Sequence, residues 1–340
     1  MINGYDVHTH VVPSTVPFVP RLVERDARWA QLRVPPADAS TGDVIVNHNI
    51  FRTVRRVAFD LDARADEVQA SGSRGQMLSA MPELFATWAP RDDAREYCAA
   101  FNEWLAGEVH RFPDLFVGLG IVPVQAPDLM PDLLHQVAQL GLAGVEIPCA
   151  GPLGPIFGEQ YEDFFVTAEE LGLLVFIHSV GDTSGFSNAM AGTGAVFPAR
   201  IGEAVAGLIA NGVMERHPGL RLLISHGGGG MAASLARLEF MRGMVPALDD
   251  LMPLHAHEYA RRMWFDHLVF DPDLLAGLIR TVGLDRVVYG TDYPFLRGDV
   301  DSVLRGSDLP PACEHAIRAD NPHKLLGQIP APRTSSTPRP

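Results

Sequence analysis

Short apolar runs alternate with longer segments of helical period along nearly the whole chain. The strand candidates are 4–8 (GYDVH), 76–80 (QMLSA), 115–121 (LFVGLGI), 143–147 (AGVEI), 173–178 (LLVFIH), 221–226 (RLLISH), 263–266 (MWFD) and 286–290 (RVVYG). Helical periodicity fills the gaps near 60–71, 93–111, 127–140, 159–171, 198–215, 231–245 and 272–282. A helix between two strands implies parallel pairing, because each crossover needs about a dozen residues or more. Eight such units predict an α/β fold of the (β/α)8 TIM-barrel type rather than an open doubly wound sheet. The 340 residues suffice for one barrel. We therefore assign 1–328 to a single barrel domain and 11–59 to a long insertion after strand 1 that contributes to the active site. The Pro/Ser/Thr-rich stretch 329–340 reads as a flexible tail. Residues 179–197, rich in Gly and Ser, read as a second long loop at the same end of the barrel.

Charge and cysteine usage narrow the function classes. With 27 basic residues against 41 acidic ones the formal net charge is −14, and no Lys/Arg run appears. A nucleic-acid role is disfavoured, and an anionic substrate would need a local positive centre. The three cysteines Cys98, Cys149 and Cys313 are far apart and form no disulfide framework. No basic-then-apolar leader and no membrane-length apolar run is present, so a cytoplasmic protein is expected.

The chemistry-bearing residues sit where strands end. In a strand, residues i and i+2 share a face, so His8 and His10 project together and can grip one cation. His178 ends "LLVFIH", His226 ends "RLLISH", and Asp292 lies just beyond "VVYG". In a barrel these ends converge on the catalytic face. Three strands that end in histidine, with a carboxylate on the eighth, point to a metal site.

The pieces "DVHTHVVP", "NIFRTV", "SAMPELF", "FIHSVG", "SHGGGGMAASLARLEF", "YGTDYPF" and "NPHKLLG" together resemble the amidohydrolase superfamily. Within it they resemble the branch of 2-amino-3-carboxymuconate-6-semialdehyde decarboxylase, which includes γ-resorcylate decarboxylase. The resemblance implies one divalent metal, zinc with manganese as competitor, held by His8, His10, His178 and Asp292. It implies that His226 and Asp292 are catalytic and that Arg52 pairs with a substrate carboxylate. Arg237 matches an arginine that relatives supply from a neighbouring subunit, which implies a homodimer. Phe51 and Phe295, with Phe85 and Trp88 as further aromatic candidates, could wall a pocket for a planar substrate. His267, where relatives carry a smaller residue, is a further candidate for substrate contact. Glu146 stands where some superfamily members place a bridging ligand for a second metal. The expected activity is nonoxidative decarboxylation of a small unsaturated or aromatic acid, in aromatic-compound catabolism. The alternative on the same site is hydrolysis of a lactone, amide or enol-lactone, or hydration of an oxo-acid. Residues 179–197 lack the tryptophan of the muconate-semialdehyde enzyme, so that particular substrate does not follow.

Overall fold

The architecture was taken from a computed structural model, which describes residues 4–14, 19–35, 39–296 and 299–327. Eight parallel strands follow one another in chain order: β1 (Tyr5–Val11), β2 (Gly75–Ala80), β3 (Phe116–Ile121), β4 (Gly144–Pro148), β5 (Leu174–His178), β6 (Arg221–Ile224), β7 (Trp264–Asp266) and β8 (Val287–Val288). The seam between β8 and β1 is closed by backbone bonds. Val7 N–H donates to the Tyr289 carbonyl, His10 N–H to that of Tyr293, and Asp292 N–H to that of His8. Helices cover the outside, as the alternating sequence pattern predicts. Among the described residues no helix is long and apolar enough to cross a membrane.

Inside the barrel, side chains stack in two layers of opposite character. Val7, Met77, Leu119, Phe176, Leu223, Trp264 and Val288 form an apolar floor. Above it lie His8, His10, Ser79, Glu146, His178 and Asp266, all buried. Strict alternation along β5 carries Phe176 into the floor and His178 into the layer above, two residues on. β1 cannot do this by alternation alone, because Val7 and His8 are neighbours. Its register against β2 slips between Asp6 (opposite Gln76) and Thr9 (opposite Leu78). That extra residue is a bulge, which reverses the phase of the strand. Val7 and the two histidines can thus all face inward.

Two regions differ from the sequence expectation. The insertion after β1 holds an antiparallel three-stranded sheet, Gln31–Arg33, Thr41–Val46 and Asn49–Arg55. Its last two strands are joined through Asn47 and His48, both with positive φ (50° and 62°), the backbone of a tight two-residue hairpin turn. The loop expected over 179–197 turns helical at Ala189 and runs to Ala210. The Asn188 side chain caps that helix by accepting the Ala191 N–H, and the helix tolerates Pro198 in its interior. The proposed tail, 329–340, lies outside the described residues.

Candidate metal centre and active site

Three imidazoles are held in one tautomer by acceptors behind them. His8 Nδ1 lies 2.6 Å from Asp266 Oδ2, His10 Nδ1 lies 2.9 Å from the Ala80 carbonyl, and His178 Nδ1 lies 2.8 Å from the Ser179 carbonyl. A carbonyl or an ionised carboxylate can only accept, so each ring keeps its proton on Nδ1. Each Nε2 is then a bare lone pair. His8 Nε2 and His10 Nε2 face each other at 3.2 Å. His178 Nε2 is buried and takes no hydrogen bond from the protein. Asp292 Oδ1 stands 3.1 Å from His10 Nε2 and 3.9 Å from His8 Nε2. The four donor atoms lie within 4.8 Å of one another. With the rings neutral, these four lone pairs repel each other unless a positive charge sits between them. Burial alone would lower the His10 pKa, but Glu146 and Asp292 raise it, so a proton on His10 takes that place when no cation does. This donor set therefore fits a divalent metal ion.

Asp266 organises the centre, and it is the residue that sequence reasoning missed. It is fully buried. Besides His8 it accepts the backbone N–H groups of His226 (2.8 Å), Gly227 (2.8 Å) and Leu268 (3.1 Å). Burial alone would raise its pKa, but the hydrogen bond and charge of His8, with the donors around it, hold it below the ordinary carboxylate value. One side chain thus orients a metal ligand and the turn that carries His226.

His226 and Asp292 both adopt left-handed backbone, with φ of 52° and 56°, a conformation uncommon for non-glycine residues and often found at functional sites and in turns. His226 Nε2 lies 4.0 Å from Asp292 Oδ2, and Nδ1 takes no hydrogen bond from the protein. Burial works against ionisation of Asp292. The surrounding histidines outweigh it and hold this carboxyl well below its usual range.

A cleft of about 920 Å³ opens over the centre, with His178, His226, Asp292, Arg52, Phe51 and Phe295 in its wall. The Arg52 guanidinium lies 4.9 Å above the Phe295 ring, and Phe295 stacks on His10 at 5.7 Å. Phe85 is buried in the core, and Trp88 packs under the Arg28 guanidinium at 4.1 Å. Arg237 is exposed on the helix Met231–Arg242, outside the cleft of its own chain. Glu146 lies behind His10, its Oε1 3.7 Å from Nδ1, and is not in the convergent donor set. Burial, which favours the neutral acid, pushes its carboxyl up to about 8 against the opposing pull of His10.

His267 does not line the cleft. Its neighbour Asp266 points inward, so alternation turns His267 outward, where it is fully buried and stacks on Tyr289 at 4.9 Å. Nδ1 accepts the Gly290 N–H, and burial lowers its pKa to about 4. The folded protein keeps this ring neutral while the unfolded chain protonates near 6.5. His267 therefore supports stability above pH 6.5, and that support is lost as pH falls toward 4. Between pH 7 and pH 5 the loss should be about 2 kcal/mol. Urea unfolding of wild type and His267→Phe, both in chelator, should show the wild type losing that much more. Parallel pH dependences would refute it.

A parallel eight-stranded barrel with this donor set at the C-terminal ends of its strands defines a metal-dependent barrel enzyme. The chain belongs to the amidohydrolase family, whose model matches residues 5–328. It is 29% identical over 308 residues to 2-amino-3-carboxymuconate-6-semialdehyde decarboxylase of Dictyostelium discoideum, covering 87% of this chain and 82% of the relative. It is 25% identical over 231 residues to γ-resorcylate decarboxylase of Rhodococcus jostii, covering 60% and 68%. A 5-carboxyvanillate decarboxylase from Sphingomonas paucimobilis shares the fold with a TM-score of 0.76 at 19% identity, covering 96% of this chain and 99% of that one. A dihydroxybenzoic acid decarboxylase from Polaromonas, solved with manganese and 2-nitroresorcinol, does so with a TM-score of 0.74 at 19% identity, covering 97% and 98%.

Proposed function

We propose that this chain is a metal-dependent nonoxidative decarboxylase of a small aromatic or unsaturated carboxylic acid. The observation that carries the reading is the set of three Nδ1-protonated imidazoles and Asp292, converging under a cleft walled by Arg52 and two phenylalanines. The activities of the relatives support it. We assign one zinc ion to His8, His10, His178 and Asp292, which suits imidazole-rich coordination. Manganese is the competitor, given the Polaromonas structure. The bound ion supplies positive charge and Lewis acidity beside the reacting acid.

The chain's own residues do the rest. Arg52 binds the acid through its guanidinium, which matches a carboxylate geometrically. Phe51 and Phe295 hold a planar skeleton. His226 and Asp292 together hold the proton that is delivered to the carbon bearing the carboxylate. That C–H bond is made from a π pair of the skeleton; the C–C bond then breaks, its electron pair refills the π system, and CO₂ leaves. The acid loses CO₂ and keeps the proton, and the donor is reprotonated from solvent. Arg237 and the exposed apolar side chains of Phe240 and Met244 beside it support a homodimer in which Arg237 reaches the second copy's cleft.

Purified protein, loaded with zinc or manganese, should release CO₂ from at least one member of a panel of hydroxybenzoic and muconic acids. Chelation should abolish release and metal should restore it, with light scattering giving twice the mass of one chain. Lactone or amide hydrolysis without CO₂, or activity indifferent to chelator, would overturn the decarboxylase reading. A monomer would overturn the dimer.

A further inference from the structure

Glu83 stands in the same cleft with no role in the chemistry above. It belongs to the turn Pro82–Phe85 that follows β2. This places it three residues beyond Ala80, whose carbonyl fixes the His10 tautomer. It lines the cleft together with Arg52 and Phe295. Its Oε1 is 3.8 Å from Arg52 Nη2, an ion-pair distance too long for a hydrogen bond. Its Oε2 is buried and accepts no hydrogen bond from the protein. The side chains of Arg52 and Glu83 are 28% and 25% exposed, so both are partly shielded from water.

These positions give the cleft two adjacent demands of opposite sign. Arg52 calls for a carboxylate. Glu83 calls for a hydrogen-bond donor and repels a second carboxylate in a partly desolvated place, where charge interactions are stronger than in bulk water. A site built to satisfy a polar partner rejects a ligand lacking that partner, because its own group is left unpaired.

We propose that Glu83 is a specificity-determining residue: it accepts a hydrogen bond from a hydroxyl or amino group of the substrate and excludes a second carboxylate from that edge. The substrate class is then a monocarboxylic acid bearing a neighbouring donor. This assignment rests on the acid-binding reading of the cleft given above.

The test measures binding by calorimetry on metal-loaded protein, using benzoate, 2- and 3-hydroxybenzoate, and the matching benzene-1,2- and benzene-1,3-dicarboxylates. Wild type should bind the better hydroxybenzoate at least about 10-fold more tightly than benzoate, and the matching dicarboxylate at least about 10-fold more weakly. Glu83→Gln keeps the shape, removes the charge and can donate to a carboxylate. In that variant the hydroxyl preference should shrink to within about 3-fold, and dicarboxylate binding should strengthen at least about 10-fold. If Glu83 only positions Arg52, Glu83→Gln shifts all the acids by a common factor and the assignment fails. It fails equally if no affinity changes. Should the ratios hold while no acid yields CO₂, decarboxylation is refuted and the Glu83 assignment stands. Should no acid bind wild type, both are refuted.

Discussion

Asp292→Asn is expected to lower turnover by about 10²–10³-fold, the usual scale for removing a group that stabilises or transfers charge in the transition state, and to strip metal from the centre. The folded structure should survive. Asp292 sits in the left-handed region, where asparagine is among the best tolerated residues. Its backbone N–H bond to the His8 carbonyl does not involve the side chain. What changes is the negative charge at 3.1 Å from His10 Nε2 and 4.0 Å from His226 Nε2. A parallel His226→Asn variant, also at a left-handed position, separates the two roles. It should lose turnover to a similar degree while retaining metal, because His226 is not one of the four convergent donors. Steady-state kinetics, elemental analysis and circular dichroism read all three quantities. Asp292→Asn with full metal and near wild-type turnover would refute the assignment.

The second large effect is expected at Asp266. Truncation to alanine removes the acceptor that several buried donors use. Three backbone N–H groups and the His8 Nδ1–H converge on its two oxygens. Each orphaned buried donor costs about 1–3 kcal/mol, so Asp266→Ala should lose several kcal/mol and unfold well below wild type, or fail to fold. Asp266→Asn is the informative variant. Its amide retains one accepting oxygen but turns an N–H₂ toward donors. If His8 answers by moving its proton to Nε2, it loses the lone pair that the cation needs. Metal affinity, measured by competition with a chromogenic chelator, should fall about 10–100-fold. Wild-type affinity with an unchanged melting temperature would remove Asp266 from this role.

Most of the barrel and the donor set were legible because both rest on strong local signals. Apolar runs closed by histidine mark β5 and β6 directly, and the His-x-His pair marks β1. The missed features depend on information that apolar runs do not carry. In "MWFDHLVF" the strand is hydrophobic on both faces, so its phase cannot be read from the pattern. His267 drew attention as the recognisable ligand type, while the inward position belongs to Asp266. The insertion's hairpin was hidden because its turn is Asn-His rather than a glycine-containing pair. Residues 189–197 look like loop by their glycines. Their helix is set by the Asn188 cap and by packing of its continuation beyond Pro198, including a bond from Gly230 N–H to the Pro198 carbonyl. Tertiary context overrides propensity there.

The slip in β1 makes the spacing of the opening strand part of the metal centre. Below it the strand keeps step with the barrel floor through Val7, and above it with the cation site through His8 and His10. Loss of one residue at the slip would leave every ligand in the composition and turn the histidine pair toward the helices. Such a chain would keep its full inventory of metal-binding residues and have no site. A count of ligands does not establish a metal centre in this barrel; the one-residue interval before them is equally required.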